Sequence, residues 1–125
     1  MAAMRVAFYA PMKPPQHPVP SGDRRIARLL LEALRLAGHD PVIASTFRSR
    51  EPKGDITRQA RLAELGQTLA LRLVKRWSGP KPDAWLTYHL YYKAPDWIGP
   101  LAAEVWGIPY LVVEASYAPK RAGGQ

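Results

Sequence analysis

The hydrophobic positions near the N-terminus predict a buried strand followed by an amphipathic helix. Residues 4–10 are apolar on both alternating faces, which is typical of a strand in a parallel sheet covered by helices on both sides. The proline-rich segment 11–20 must end this strand, because proline cannot donate to a β-ladder. Ser21 is a suitable N-cap for a helix that continues to about Ala37, and Gly38 occupies the position of a left-handed C-cap.

One apolar stripe defines the predicted buried face of this first helix. Its members recur at helical spacing: Ile26, Leu29, Leu30, Ala33, Leu34 and Ala37. We therefore expect this stripe to pack against the sheet.

The rest of the chain continues to alternate between strand and helix patterns. The predicted elements are a strand at 41–45, a helix from about Ile56 to Trp77, a strand at 84–88, a helix opened by Pro95 and closed by Gly107, and a strand at 110–114. This alternation indicates βαβ units. The predicted fold is therefore α/β, a Rossmann-like open parallel sheet of about four strands with helices on both faces. We expect this domain to occupy residues 1–117, followed by a basic, flexible tail over 118–125.

Composition is compatible with anionic ligands and with a reducing cytoplasm, which is the location we expect. The net charge is +8, from 18 Lys and Arg against 10 Asp and Glu, and there is no cysteine. Such an excess attracts nucleic acid, phosphorylated metabolites or the anionic face of a membrane, although a compositional bias towards arginine explains it equally well. No apolar run approaches the roughly 20 residues that span a bilayer. The three histidines show no metal-ligand spacing, and we expect neither a metal nor a cofactor.

The start of the first helix carries the strongest candidate site. Ligands of open parallel sheets gather at the carboxyl ends of the strands, where this helix begins. Gly22 allows a ligand to approach the backbone, next to Ser21 and Asp23. Arg24 and Arg25 oppose the helix macrodipole by about 0.3–1 kcal/mol each unless an anion binds there. The alternative is a solvated face in which Asp23 pairs with these arginines.

Three further candidates follow the later strands at the same edge. His89 could act as an acid, a base or a hydrogen-bond donor to a ligand, or could be a structural loop histidine. Glu114 and Ser116 could accept or donate hydrogen bonds to sugar hydroxyls, while Glu114 could instead pair with Lys120 or Arg121. The segment after the first strand lacks both the glycine-rich dinucleotide motif and the phosphate-loop lysine motif, which disfavours NAD and ATP by those routes.

Four segments resemble the N-terminal domain of bacterial GT-B glycosyltransferases of the family-four type. They are residues 4–10, 27–39, 82–89 and 107–113, in that order and spacing. The resemblance implies an acceptor-binding domain that faces a C-terminal domain holding a nucleotide-sugar, with Ser21 and Gly22 in the cleft between them. It also implies that the basic surface meets lipid-linked acceptors, which would place the protein at the inner face of the membrane.

The sequence departs from this family in several features, and these departures leave other functions open. One glycine, Gly22, stands where the family has a pair, and Glu114 to Ser116 occupy the place of a frequent histidine. The donor-binding half is absent, so we expect transfer only with a C-terminal domain or a partner chain. The alternative is a truncated or degenerate, non-catalytic module that binds a phosphorylated ligand, a sugar or a protein. Nucleic-acid binding ranks last, because the arginines are scattered over two helices without a recognised motif.

Overall fold

A computed structural model describes residues 3–11, 22–47, 55–88 and 95–114, with only the backbone of residues 22–24. Its four strands are β1 (Arg5–Tyr9), β2 (Asp40–Ser45), β3 (Ala84–Tyr88) and β4 (Tyr110–Val113). All pair in parallel, in the order β2-β1-β3-β4. The helices are α1 (Gly22–Leu36), α2 (Ile56–Arg76) and α3 (Gly99–Trp106). The predicted Rossmann-like α/β fold with an open parallel sheet is confirmed, whereas the predicted tail lies outside the described residues.

The strand order places helices on both faces of the sheet. The chain moves from β1 to β2 on one side and then crosses back to β3 and β4 on the other side. Because each crossover between parallel strands is right-handed, this reversal puts α1 on one face and both α2 and α3 on the other. The side-chain packing agrees, since α1 contributes to one apolar cluster while α2 and α3 contribute to the second.

The first cluster corrects the predicted buried face of α1. Ala27 and Leu31 are buried against the sheet, whereas Leu29 is 60% exposed. Ala33 and Ala37, also members of the predicted stripe, are exposed too. Leucine is so frequent in this helix that two overlapping stripes satisfy helical spacing, and the observed one runs through Ala27, Leu30, Leu31 and Leu34. The small side chain of Ala27 lets the helix approach the sheet closely.

The second cluster is built around Trp85, which is fully buried on the opposite face of the sheet. Its ring meets Tyr9 in an edge-on arrangement with the centroids 6.3 Å apart. Ala102 and Ala103 of α3 pack in the same cluster, because small side chains leave room for the indole. This layer fixes α3 against β3 and β4.

Two glycines end their helices as the sequence predicts, but α3 begins later than predicted. Gly38 and Gly107 adopt positive φ angles of 90° and 69°, which closes α1 and α3 with left-handed caps. The prediction that Pro95 opens the last helix is wrong. The helix begins at Gly99, and Pro100 occupies its first turn. The reason is the side chain of Asp96, which accepts hydrogen bonds from the backbone just before and at the helix start.

Candidate functional site

The carboxyl edge of the sheet contains a topological switch point. The register brings Tyr9 beside Ser45 on one side and beside Thr87 on the other, so the strands end at a common edge. The chain leaves β1 towards α1 on one face and leaves β3 towards α3 on the opposite face. In open α/β sheets a crevice forms where neighbouring connections diverge in this way, and ligands bind there.

The first turn of α1 lies at this same edge, because the helix runs antiparallel to the strands it connects. Gly22, Asp23, Arg24 and Arg25 are all helical, and the side chain of Arg25 is exposed. The first backbone N–H groups of a helix have no partner within it and point towards the edge. This arrangement supplies hydrogen-bond donors for an anion, and Arg25 adds an exposed positive charge in the same turn.

Glu114 lies at the same carboxyl edge, beside the edge strand β4. It directly follows Val113, which pairs with Tyr88, and its side chain is exposed. β4 stands two strands from β1, so roughly 10 Å separate the ends of these strands. A ligand the size of a sugar phosphate could bridge that distance. Ser21, His89 and Ser116 lie outside the described residues, and their proposed roles stay predictions.

Asp96 stands at the centre of a hydrogen-bond network close to the switch point. Its Oδ2 accepts hydrogen bonds from the hydroxyls of Thr87 and Tyr110, each at 2.6 Å. Its Oδ1 accepts from the backbone N–H groups of Ile98 at 3.0 Å and Gly99 at 2.7 Å. These four donors fix the carboxylate in place and set the start of α3. Asp96 therefore holds the start of α3 in place against β3 and β4.

Buried polar contacts extend this network into the sheet. The indole Nε1 of Trp85 donates to the hydroxyl of Thr87 at 2.7 Å, and that hydroxyl in turn donates to Asp96. Burial raises the pKa of Tyr110, and the nearby charge of Asp96 and their hydrogen bond raise it further. The Tyr110 hydroxyl is accordingly protonated at neutral pH and acts as a donor.

Sequence reasoning missed Asp96, although two signals pointed to it. An aspartate whose side chain accepts from the N–H groups two and three residues later forms a common turn before a helix, and Gly99 stands at the right distance. Thr87, a polar residue in an otherwise apolar strand, was the second signal, because a buried hydroxyl needs a partner. The prediction of a helix start at Pro95 concealed the first signal, because it placed Asp96 inside the helix.

The described parts of the chain contain no group of three or more histidine, aspartate or glutamate side chains arranged to hold a metal ion. His39 has a structural contact, since its Nδ1 accepts a hydrogen bond from the backbone N–H of Met4 at 3.1 Å. Within the same residues, no helix combines the length and apolar character needed to cross a bilayer.

Comparisons of the chain with models of protein families, with curated proteins and with solved structures found no match.

Proposed function

We propose that this chain is the acceptor-binding part of a glycosyltransferase that moves a sugar from a nucleotide-sugar to an acceptor. The observation that carries the proposal is the strand order, which creates a switch point at the carboxyl edge beside the start of α1. The four segments that resemble family-four GT-B domains support the choice of this chemistry over others that use the same fold.

The candidate residues divide the binding task by their chemistry. The first turn of α1, from Gly22 to Arg25, binds a phosphate of the acceptor through backbone N–H groups and a guanidinium. Glu114 accepts hydrogen bonds from sugar hydroxyls. The net charge of +8 raises the local concentration of anionic ligands. The proposal assigns donor binding to a second domain, so the chain alone binds the acceptor without transferring sugar.

A titration of the ¹⁵N-labelled chain, followed by NMR, tests this proposal. The probes are glucose 1-phosphate, inorganic phosphate and glucose. We expect glucose 1-phosphate to shift the amide signals of residues 22–25, Tyr88 and Glu114 saturably, and to bind more tightly than either of the other probes. Absence of a saturable response at millimolar concentration, or shifts confined to other parts of the chain, would overturn it.

A pair of charge reversals on α1 provides the matched control. Arg25 and Arg35 are both exposed, in the first and last parts of the same helix. Arg25→Glu should weaken glucose 1-phosphate binding by at least about fivefold. Arg35→Glu should leave it within about twofold, because the reversed charge is at the far end of the helix and is screened by salt. Equal losses in both variants would reduce the interaction to non-specific attraction and contradict the proposed site.

A further inference from the structure

A second concave region lies between β2 and the C-terminal half of α2, on the face of the sheet opposite α1. This cleft has a volume of about 340 Å³. Its apolar side chains include Leu69 and Leu73 of α2 and Ile98, which precedes α3. Arg72 and Arg76 line the same space and are exposed. We refer to this region as the Arg72–Arg76 cleft.

The two arginines place two positive charges on the cleft. Residues four apart project from the same side of a helix, with their Cβ atoms about 5–6 Å apart. Neither guanidinium forms an ion pair with any residue in 3–11, 22–47, 55–88 or 95–114. Cations in the last turn of a helix stabilise its macrodipole, which accounts for Arg76 but not for Arg72 one turn earlier.

Trp77 gives the cleft a fixed aromatic wall. Its Nε1 donates a hydrogen bond to the carbonyl oxygen of Pro80 at 3.1 Å. Its ring packs edge-on against Trp106 with the centroids 5.1 Å apart. Because these contacts hold the indole before any ligand arrives, binding loses little entropy in ordering it.

Two serine hydroxyls add possible hydrogen-bond donors to the cleft. Ser45 and Ser78 both line it. The Oγ of Ser45 accepts a hydrogen bond from the backbone N–H of Phe47 at 3.1 Å, which leaves the serine proton available to donate. An apolar interior with a few polar and cationic groups at its border is the usual composition of a small-molecule site.

We propose that the Arg72–Arg76 cleft binds a small organic anion, whose apolar body contacts Leu69, Leu73 and Trp77 and whose carboxylate or phosphate lies between the two guanidiniums. A volume of about 340 Å³ lies near the lower end of the range of roughly 300–1,000 Å³ that is typical of small-molecule sites. The cleft lies beside β2, whereas the switch point lies between β1 and β3, and the proposal does not depend on the function proposed above.

Phenyl phosphate, which combines an aromatic ring with a phosphate, is the probe for this site. We would titrate it into the full chain and follow the indole signal of Trp77 and the amide signals of Ser45 and Ser78 by NMR. Benzoate, inorganic phosphate and phenol are the comparison ligands. We expect saturable shifts with phenyl phosphate, with benzoate or with both, and affinities at least about tenfold lower for inorganic phosphate and phenol.

Two double variants with the same loss of charge complete the test. Arg72→Gln with Arg76→Gln should weaken binding of phenyl phosphate by at least about tenfold. Arg35→Gln with Lys75→Gln removes two exposed cations that do not line the cleft, and should leave affinity within about twofold. The proposal is overturned if neither aromatic anion binds, if inorganic phosphate binds as tightly as phenyl phosphate, or if both double variants lose affinity equally. Well-dispersed spectra of each variant confirm that it is folded.

Discussion

The hydroxyl of Tyr110 donates a hydrogen bond of 2.6 Å to Oδ2 of Asp96, and so joins the first residue of β4 to the segment just before α3. Thr87 of β3 donates to the same carboxylate oxygen. Oδ2 thereby connects two neighbouring strands, while Oδ1 of the same carboxylate accepts from the backbone at the start of α3. The carboxylate lies where the chain turns from the carboxyl edge of the sheet into α3.

Replacing Asp96 with alanine should destabilise the fold by about 2–3 kcal/mol. The change leaves two hydroxyls and two backbone N–H groups without their acceptor, and part of that loss is regained by water because the site is only half-buried. Urea unfolding followed by tryptophan fluorescence measures the difference. Glu104→Ala, which removes an exposed carboxylate from α3, is the control and should change stability by less than about 0.5 kcal/mol. Similar effects of the two substitutions would contradict the role given to Asp96.

Tyr110→Phe should change how stability depends on alkaline pH. The pKa of Tyr110 in the folded protein is raised above the ordinary tyrosine value of 10.0 by burial and by Asp96. Below pH 10.0 the hydroxyl is protonated in both the folded and the unfolded chain, so its contribution to stability is complete. Above that pH the unfolded chain loses the proton first, and stability falls as the pH rises towards the pKa of the folded protein.

The measurement is the urea midpoint of the parent protein and of Tyr110→Phe at several pH values on both sides of 10.0, the ordinary pKa of a tyrosine hydroxyl. The parent should lose more stability than the variant above this value, since phenylalanine has no proton to release. Parallel pH profiles for the two proteins would show that the pKa of Tyr110 is not raised by folding.

Gly99→Ala should disrupt the same network by steric overlap. A Cβ at this position would overlap Oδ2 of Asp96 and would lie 2.6 Å from both Nε1 of Trp85 and Cε1 of Tyr110. These atoms belong to buried or hydrogen-bonded groups and cannot move independently, so we expect a cost of about 1–3 kcal/mol despite the better helix propensity of alanine. Val105→Ala, a change at an exposed position of α3, should cost less than about 1 kcal/mol. A stable Gly99→Ala protein with an unchanged Trp85 indole signal would count against this packing.

The sequence predicted the order and approximate bounds of the elements because each is encoded locally. Proline ends β1, Gly38 and Gly107 close their helices, and hydrophobic periodicity distinguishes strand from helix. The network of Asp96 was missed because its partners Thr87 and Tyr110 lie 9 and 14 residues away, and only the tertiary fold brings them together. The candidate residues at the carboxyl edge were predicted from the parallel sheet alone. The carboxyl ends of parallel strands lie at one edge of the sheet whatever side chains the strands carry.

Leu31→Ala and Leu29→Ala form a matched pair that tests which side of α1 packs against the sheet. Periodicity alone favoured a stripe containing Leu29, but Leu31 is 4% exposed and Leu29 is 60% exposed. Leu31→Ala should therefore cost about 2–4 kcal/mol, because it opens a cavity beside Phe8 and Leu86. Leu29→Ala should cost less than about 1 kcal/mol, since the leucine remains largely in water and alanine is the better helix former. Urea unfolding of both variants decides the orientation, and a larger loss from Leu29→Ala would mean that α1 is rotated about its axis relative to the packing described above.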